Sequence, residues 1–200
     1  LAPLVIEGGT IRGGLVMETP MASAQVKSAI LLAGLGADAP TTVIEPSQSR
    51  DHTERMLAAM GAGIEASGRR VVLTPPSGDL RAVDVRVPGD ISTAAAWIIA
   101  GCAHSDAELR LIGVGMNPTR TGLIDILRLM GADLAIEEER TVGGEPVADI
   151  VVRSSRLVGA EIGGPLVPRA IDELPLVALA GALAEGETVI RDAEELVVKE

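Results

Sequence analysis

The chain has no phenylalanine, no tyrosine, one tryptophan (Trp97), one cysteine (Cys102) and two histidines. Cations are also scarce: 17 Lys and Arg stand against 28 Asp and Glu, a formal net charge of −11. One cysteine cannot close an internal disulfide, so a disulfide-stapled scaffold is excluded and a reducing compartment stays open. The histidines and Cys102 do not stand at zinc-ligand spacing, and no metal is expected. Nucleic acid needs a basic stripe or stacking rings, and both are missing, so no nucleic-acid partner is expected. No apolar run reaches the ~18 residues of a membrane span, and no charged-apolar-small leader opens the sequence. The chain begins at Leu1 and not Met, as a piece of something larger would. No Walker loop, GxGxxG or GxSxG occurs.

What is present is a core alphabet of Ala, Val, Leu, Ile and Met, in a length suited to one or two domains. The acidic balance leaves room for a small anionic ligand, which needs only a few convergent cations and helix N-termini.

The chain repeats itself. Apolar segments Ser28 to Leu35, Ala94 to Gly101 and Leu174 to Gly181 lack a polar face. Each is followed by a β-type run: Thr41 to Ile44, Glu108 to Ile112, and Glu187 to Ile190. The pattern predicts a buried helix and then a strand. Amphipathic helices are predicted over Thr53 to Met60 and Thr121 to Met130. Both end in Met-Gly-Ala, where glycine stops a helix without strain. Two short strands follow each stop: Ile64 to Ala66 with Val71 to Leu73, then Leu134 to Ile136 with Asp149 to Arg153. The unit is βαβαββ, and the third copy is cut off midway. A strand is expected over Val83 to Val87, with a hinge near Pro88-Gly89. That separates part of a first globule, 1–87, from part of a second, 88–200.

Four polar helix starts could carry chemistry. Ser23 is a natural N-cap, with Gln25 and Lys27 in the following turn, where an anion could sit. The plainer reading is a capped helix with solvated Gln and Lys. Ser47 to Glu54 is another start, capped by Ser49 or Thr53. Arg50 there opposes the helix dipole, which implies a partner, either Asp51 or an external anion. Asn117 to Gly122 reads as a Pro turn with a hydrogen-bonding Arg120. Asp172 and Glu173 precede an apolar helix with Pro175 in its first turn. Either they cap it, or Asp172 is a carboxylate at a cleft edge suited to general-base work.

Six stretches together resemble the 5-enolpyruvylshikimate-3-phosphate synthase family: SAQVKSAILLAGL (23–35), SRDHTERML (49–57), VPGDIST (87–93), MNPTRTG (116–122), IDELPLVALAGALAEGET (171–188) and VKE (198–200). They stand in the family's order across almost the whole chain. The resemblance implies an α+β fold of repeated βαβαββ units packed with pseudo-threefold symmetry, buried helices inside and mixed sheets outside. It implies enolpyruvyl transfer from phosphoenolpyruvate to the 5-hydroxyl of shikimate 3-phosphate, with release of phosphate. This is a step towards chorismate and the aromatic amino acids, carried out by a cytoplasmic monomer without metal or organic cofactor.

By motif, Ser23, Ala24 and Gln25 look like the triplet that holds shikimate 3-phosphate, Gln25 also reaching phosphoenolpyruvate. Ser49 and Arg50 look like contacts to the acceptor's phosphate. Asp172 looks like the group that accepts the 5-hydroxyl proton. Lys199 looks like a substrate contact, and Glu200 like the acid that protonates the methylene. The triplet is Ser-Ala-Gln where many members have Ser-Ser-Gln, and Val197 replaces the Arg usual before Val-Lys-Glu. The family's Lys-Ser segment, its LGNAGT loop and its cations after Lys-Glu are outside this chain. The chain is thus expected to be truncated at both ends and inactive alone. The alternatives are the sister transferase acting on UDP-N-acetylglucosamine, which relies on a reactive loop cysteine, and a non-catalytic fragment that binds a phosphorylated ligand.

Overall fold

A computed structural model describes residues 3–5, 7–194 and 196. The chain divides into two compact units, Leu1–Asp84 and Val85–Glu200. Unit one contains β1 (Val16–Glu18), α1 (Ala24–Gly34), β2 (Thr41–Ile44), α2 (His52–Ala59), β3 (Gly63–Ser67) and β4 (Arg70–Thr74). Its sheet runs β1-β2-β4-β3, with β1 parallel to β2 and the other pairs antiparallel. Leu31, Val43, Leu57, Val71 and Leu73 form the core.

Unit two opens with α3 (Ile91–Ala103), β5 (Glu108–Gly115), α4 (Gly122–Leu129), β6 (Leu134–Val142) and β7 (Glu145–Arg153). Its sheet runs β5-β7-β6, and Gly89 makes a parallel bridge to Val114 on the open side of β5. Counted from that bridge, the strand order matches unit one. A further copy begins with β8 (Glu161–Ile162), α5 (Leu166–Arg169), α6 (Leu174–Leu183) and β9 (Val189–Ile190), β8 and β9 being parallel. Helix α3 packs on β5 and β7 at one side and on α6 at another, over a core that includes Ile98, Ile99, Leu127, Ile150 and Val177. The fold is α+β, with no helix among the described residues long and apolar enough to cross a membrane.

The repeat has a physical signature. Each apolar helix carries a glycine where it passes closest to its sheet. A Cβ on Gly34 would meet Leu73 and Thr41, one on Gly101 would meet Val152 and Leu109, and one on Gly181 would meet Thr188. The stops also agree. Gly61 and Gly131 have φ of +86° and +85°, and Ala62 and Ala132 donate back to the carbonyls of Leu57 and Leu127, as in a Schellman turn.

The structure corrects four expectations. Val83 to Val87 is not a strand and joins no sheet among the described residues. Its Val-Asp-Val-Arg-Val alternation mimics a strand, but the segment joins two units and Val87 is 82% exposed. Helices α1 and α6 are not buried throughout: in α1 only Lys27, Leu31 and Gly34 are buried, while Leu32 is 55% exposed, and in α6 only Leu174, Val177 and Ala180 are, while Leu179 is 49% exposed. In unit one α1 has a single sheet to cover, so its other side stays in solvent. The N-cap of α2 is Asp51, neither Ser49 nor Thr53. Finally, β6 and β7 extend well beyond the predicted runs. They flank bulges at Leu111/Val114 and Glu137/Arg140. There Asp149 accepts from the Gly113 N–H at 3.0 Å and pairs with Arg110 at 3.2 Å and Arg140 at 3.3 Å.

Candidate functional site

Because β1 and β2 are parallel, the loops leaving their C-terminal ends emerge at one edge of the sheet, where α/β folds bind ligands. The Thr19 N–H donates to the Ile44 carbonyl at 2.9 Å, holding the two loop roots together. Helix α1 starts at one loop and α2 at the other. Ser23 caps α1, its Oγ accepting the Val26 N–H at 3.4 Å and donating to Gln25 Oε1 at 3.3 Å. The Ser28 and Thr53 hydroxyls meet at 2.6 Å and tie the helices side by side. The predicted contacts Ser23, Ala24, Gln25, Ser49 and Arg50 therefore share one edge of unit one. Ser49 Oγ is out of water with no hydrogen-bond partner among the described residues, a hydroxyl available to an incoming acceptor or donor.

Lys27 corrects both readings of its role. It is neither solvated nor turned toward an anion. It is 1% exposed, with Nζ 2.9 Å from Glu45 Oε2 and 2.8 Å from Glu54 Oε1. Its charge is already matched by these two carboxylates.

Unit two repeats the arrangement. Gly89 and Val114 bridge in parallel, so the starts of α3 and α4 leave one edge together. Asp90 caps α3, accepting the Thr93 N–H and hydroxyl at 3.1 Å. Burial opposes ionisation of Asp90, but the N–H groups of Thr93 and Ser92, the Thr93 hydroxyl and Arg120 together hold its carboxyl below the ordinary value. Asn117 Oδ1 closes the turn before α4 by accepting from Thr119. Arg120 Nη2 then donates to Ser92 Oγ at 2.7 Å, and lies 3.4 Å from Glu173 Oε1, 3.9 Å from Asp172 Oδ2 and 3.8 Å from Asp90 Oδ1. The starts of α3, α4 and α6 converge on one guanidinium.

The adjacent carboxylates part ways here. Glu173 is 1% exposed and accepts from the Ser92 hydroxyl, its Oε2 unpartnered. Asp172 keeps a side chain 32% exposed beside Arg120, so it is the one a substrate can reach. Ser92, Glu45 and Glu54 escaped sequence reasoning. Ser92 had one signal, its place just after the cap residue Asp90. The glutamates had none. Cys102 is buried, and burial pushes its thiol up, the opposite of an activated nucleophile. No group of His, Cys, Asp and Glu among the described residues could hold a metal ion.

The sequence profile of the EPSP synthase (3-phosphoshikimate 1-carboxyvinyltransferase) family matches residues 1–200. The chain belongs to that family. It is 56% identical over 201 residues to the 3-phosphoshikimate 1-carboxyvinyltransferase of Roseiflexus castenholzii, covering 100% of this chain and 46% of that protein. It is 57% identical to that of Chloroflexus aggregans with the same coverage. The solved EPSP synthase of Acinetobacter baumannii superposes with a TM-score of 0.90 at 48% identity, over 96% of this chain and 43% of that one. The enolpyruvyl transferase NikO of Streptomyces tendae gives 0.61 at 28% identity, over 82% of this chain and 38% of its own. The chain thus spans about half the length of the curated relatives it matches. Lys199 and Glu200 lie outside the described residues.

Proposed function

We propose that the protein carrying this chain transfers the enolpyruvyl group of phosphoenolpyruvate to the 5-hydroxyl of shikimate 3-phosphate and releases phosphate. It does so in the cytoplasm as a monomer, with no cofactor, on the route to chorismate. The observation that carries the reading is the pairing of two helix starts on one sheet edge, with an unpartnered Ser49 hydroxyl, in a chain of the EPSP synthase family.

Shikimate 3-phosphate is an anion, and helix N-termini with one guanidinium suit it. Ser23, the Ala24 backbone, Gln25, Ser49 and Arg50 hold this acceptor, and Gln25 also reaches phosphoenolpyruvate. Asp172 takes the 5-hydroxyl proton as that oxygen bonds to C2 of the enolpyruvyl group, while Glu200 protonates the methylene carbon and Lys199 contacts substrate. The product is a tetrahedral adduct. Loss of a proton from the new methyl group and departure of phosphate restore the double bond on the transferred unit. An acid and a base set on opposite reactants supply what addition to an enol ether needs.

Phosphate release by the full-length protein, with both substrates present, tests the reaction. The isolated chain should bind shikimate 3-phosphate in calorimetry without turning it over. Binding of UDP-N-acetylglucosamine in its place would overturn the acceptor assignment.

A further inference from the structure

A buried ammonium must be matched by charge and hydrogen bonds. Lys27 is matched by two carboxylates from separate elements. Lys27 is in the first turn of α1, Glu45 directly follows β2, and Glu54 is in the first turn of α2. Each neighbours a proposed acceptor contact along the chain: Lys27 follows Gln25, Glu45 precedes Ser49, and Glu54 follows Arg50.

The cluster is a costly way to fill space. It buries one positive and two negative groups, and Glu45 Oε1 and Glu54 Oε2 have no hydrogen-bond partner among the described residues. Apolar side chains of similar volume would serve stability as well or better. What charge adds is direction. Nζ at 2.9 Å and 2.8 Å from two oxygens fixes the distance and angle between three elements, which packing alone sets loosely. We infer that Lys27, Glu45 and Glu54 are positioning residues. Their buried ion triad holds the α1 start, with Ser23 to Gln25, in register with the α2 start, with Ser49 and Arg50. It thereby sets the geometry of the acceptor edge. The inference rests on the acceptor reading above.

The triad is asymmetric. A Glu54→Gln change leaves an oxygen to accept from Nζ and adds an amide donor. Lys27→Met leaves two carboxylates facing each other out of water. The decisive variant is therefore the uncharged Lys27→Met/Glu45→Gln/Glu54→Gln protein, which keeps volume and removes every charge. It is compared with wild type as the full-length enzyme, by thermal unfolding, steady-state kinetics and amide hydrogen exchange. The triple variant should melt within about 4 °C of wild type. Its KM for shikimate 3-phosphate should rise about tenfold or more, because a contact displaced by about 1 Å costs up to about 100-fold. Its kcat should stay within about threefold of wild type, and its KM for phosphoenolpyruvate should rise less than that for shikimate 3-phosphate, because of these contacts only Gln25 reaches that substrate. Exchange at residues 23–27 and 49–54 should quicken together, with unit two unchanged. A folded triple variant with wild-type KM for shikimate 3-phosphate and wild-type exchange at both segments overturns the inference. If wild type itself fails to turn over shikimate 3-phosphate, the functional reading falls, and exchange alone decides whether the triad couples the two helix starts.

Discussion

Arg120→Met should destabilise unit two by about 3 kcal/mol, and removing Glu173 as well should restore most of that loss. Arg120 is 16% exposed at its side chain and Glu173 is 1% exposed, with 3.4 Å between Nη2 and Oε1. Unit charges at that range attract by about 5 kcal/mol at an effective dielectric of ~20. Desolvation of both groups offsets much of this, so the intact pair is close to neutral for stability. Without Arg120, the Glu173 carboxylate stays buried with one oxygen on the Ser92 hydroxyl and the other unpartnered. Leaving one partner of a buried pair in place costs about 3–5 kcal/mol. The lower end applies because Arg120 is partly open to water, and its longer contacts to Asp90 and Asp172, 54% and 32% exposed, are screened and add little. Arg120→Met/Glu173→Leu leaves no buried charge and should cost about 1 kcal/mol, about 2 kcal/mol less than Arg120→Met alone. Urea denaturation followed by tryptophan fluorescence reads this directly, because the single tryptophan, Trp97, lies in α3 of unit two. A loss below about 1 kcal/mol for Arg120→Met, or a double variant as unstable as the single, would refute the reasoning.

Other outcomes follow from the same structure. Gly101→Ala gains about 1 kcal/mol of helix propensity, but its Cβ would stand 2.8 Å from Val152 Cγ1. Overpacking of about 1–3 kcal/mol should win, lowering the urea midpoint; a raised midpoint would contradict it. Ser23→Ala removes the cap of α1 and should cost about 1 kcal/mol while weakening calorimetric binding of shikimate 3-phosphate; unchanged binding would remove Ser23 from the acceptor edge. The Gly113 N–H, with Arg110 and Arg140, holds the Asp149 carboxyl below its ordinary value although burial opposes this, and Asp90 is lowered too. A lowered folded value means that the stabilisation is complete above the unfolded value of about 3.9 and is lost as pH falls through the folded one. Unit two should therefore lose stability below about pH 4, and Asp149→Asn should flatten that loss in urea melts taken across the range.

The repeat, the helix stops at Gly61 and Gly131 and the Ser23 cap were legible from the residues alone. Each depends on neighbours a few positions apart, and periodicity and turn chemistry act at that range. The same local logic misread Val83 to Val87, because alternation marks a segment able to form a strand, whereas pairing needs a neighbour from elsewhere in the chain. It also overstated the burial of α1, whose apolar sides are filled only if the tertiary structure supplies a partner for each. The six motifs carried the family membership.

The charged residues divided differently. Asp172 and Glu173 are adjacent and chemically alike, and sequence could not say which one is sealed beside Ser92 and which stays open beside Arg120. Lys27 read as a cation for an anionic ligand until Glu45 and Glu54 were seen to enclose it. A helix knows its own spacing, but the partner of a buried charge is chosen by whichever elements the fold packs against it.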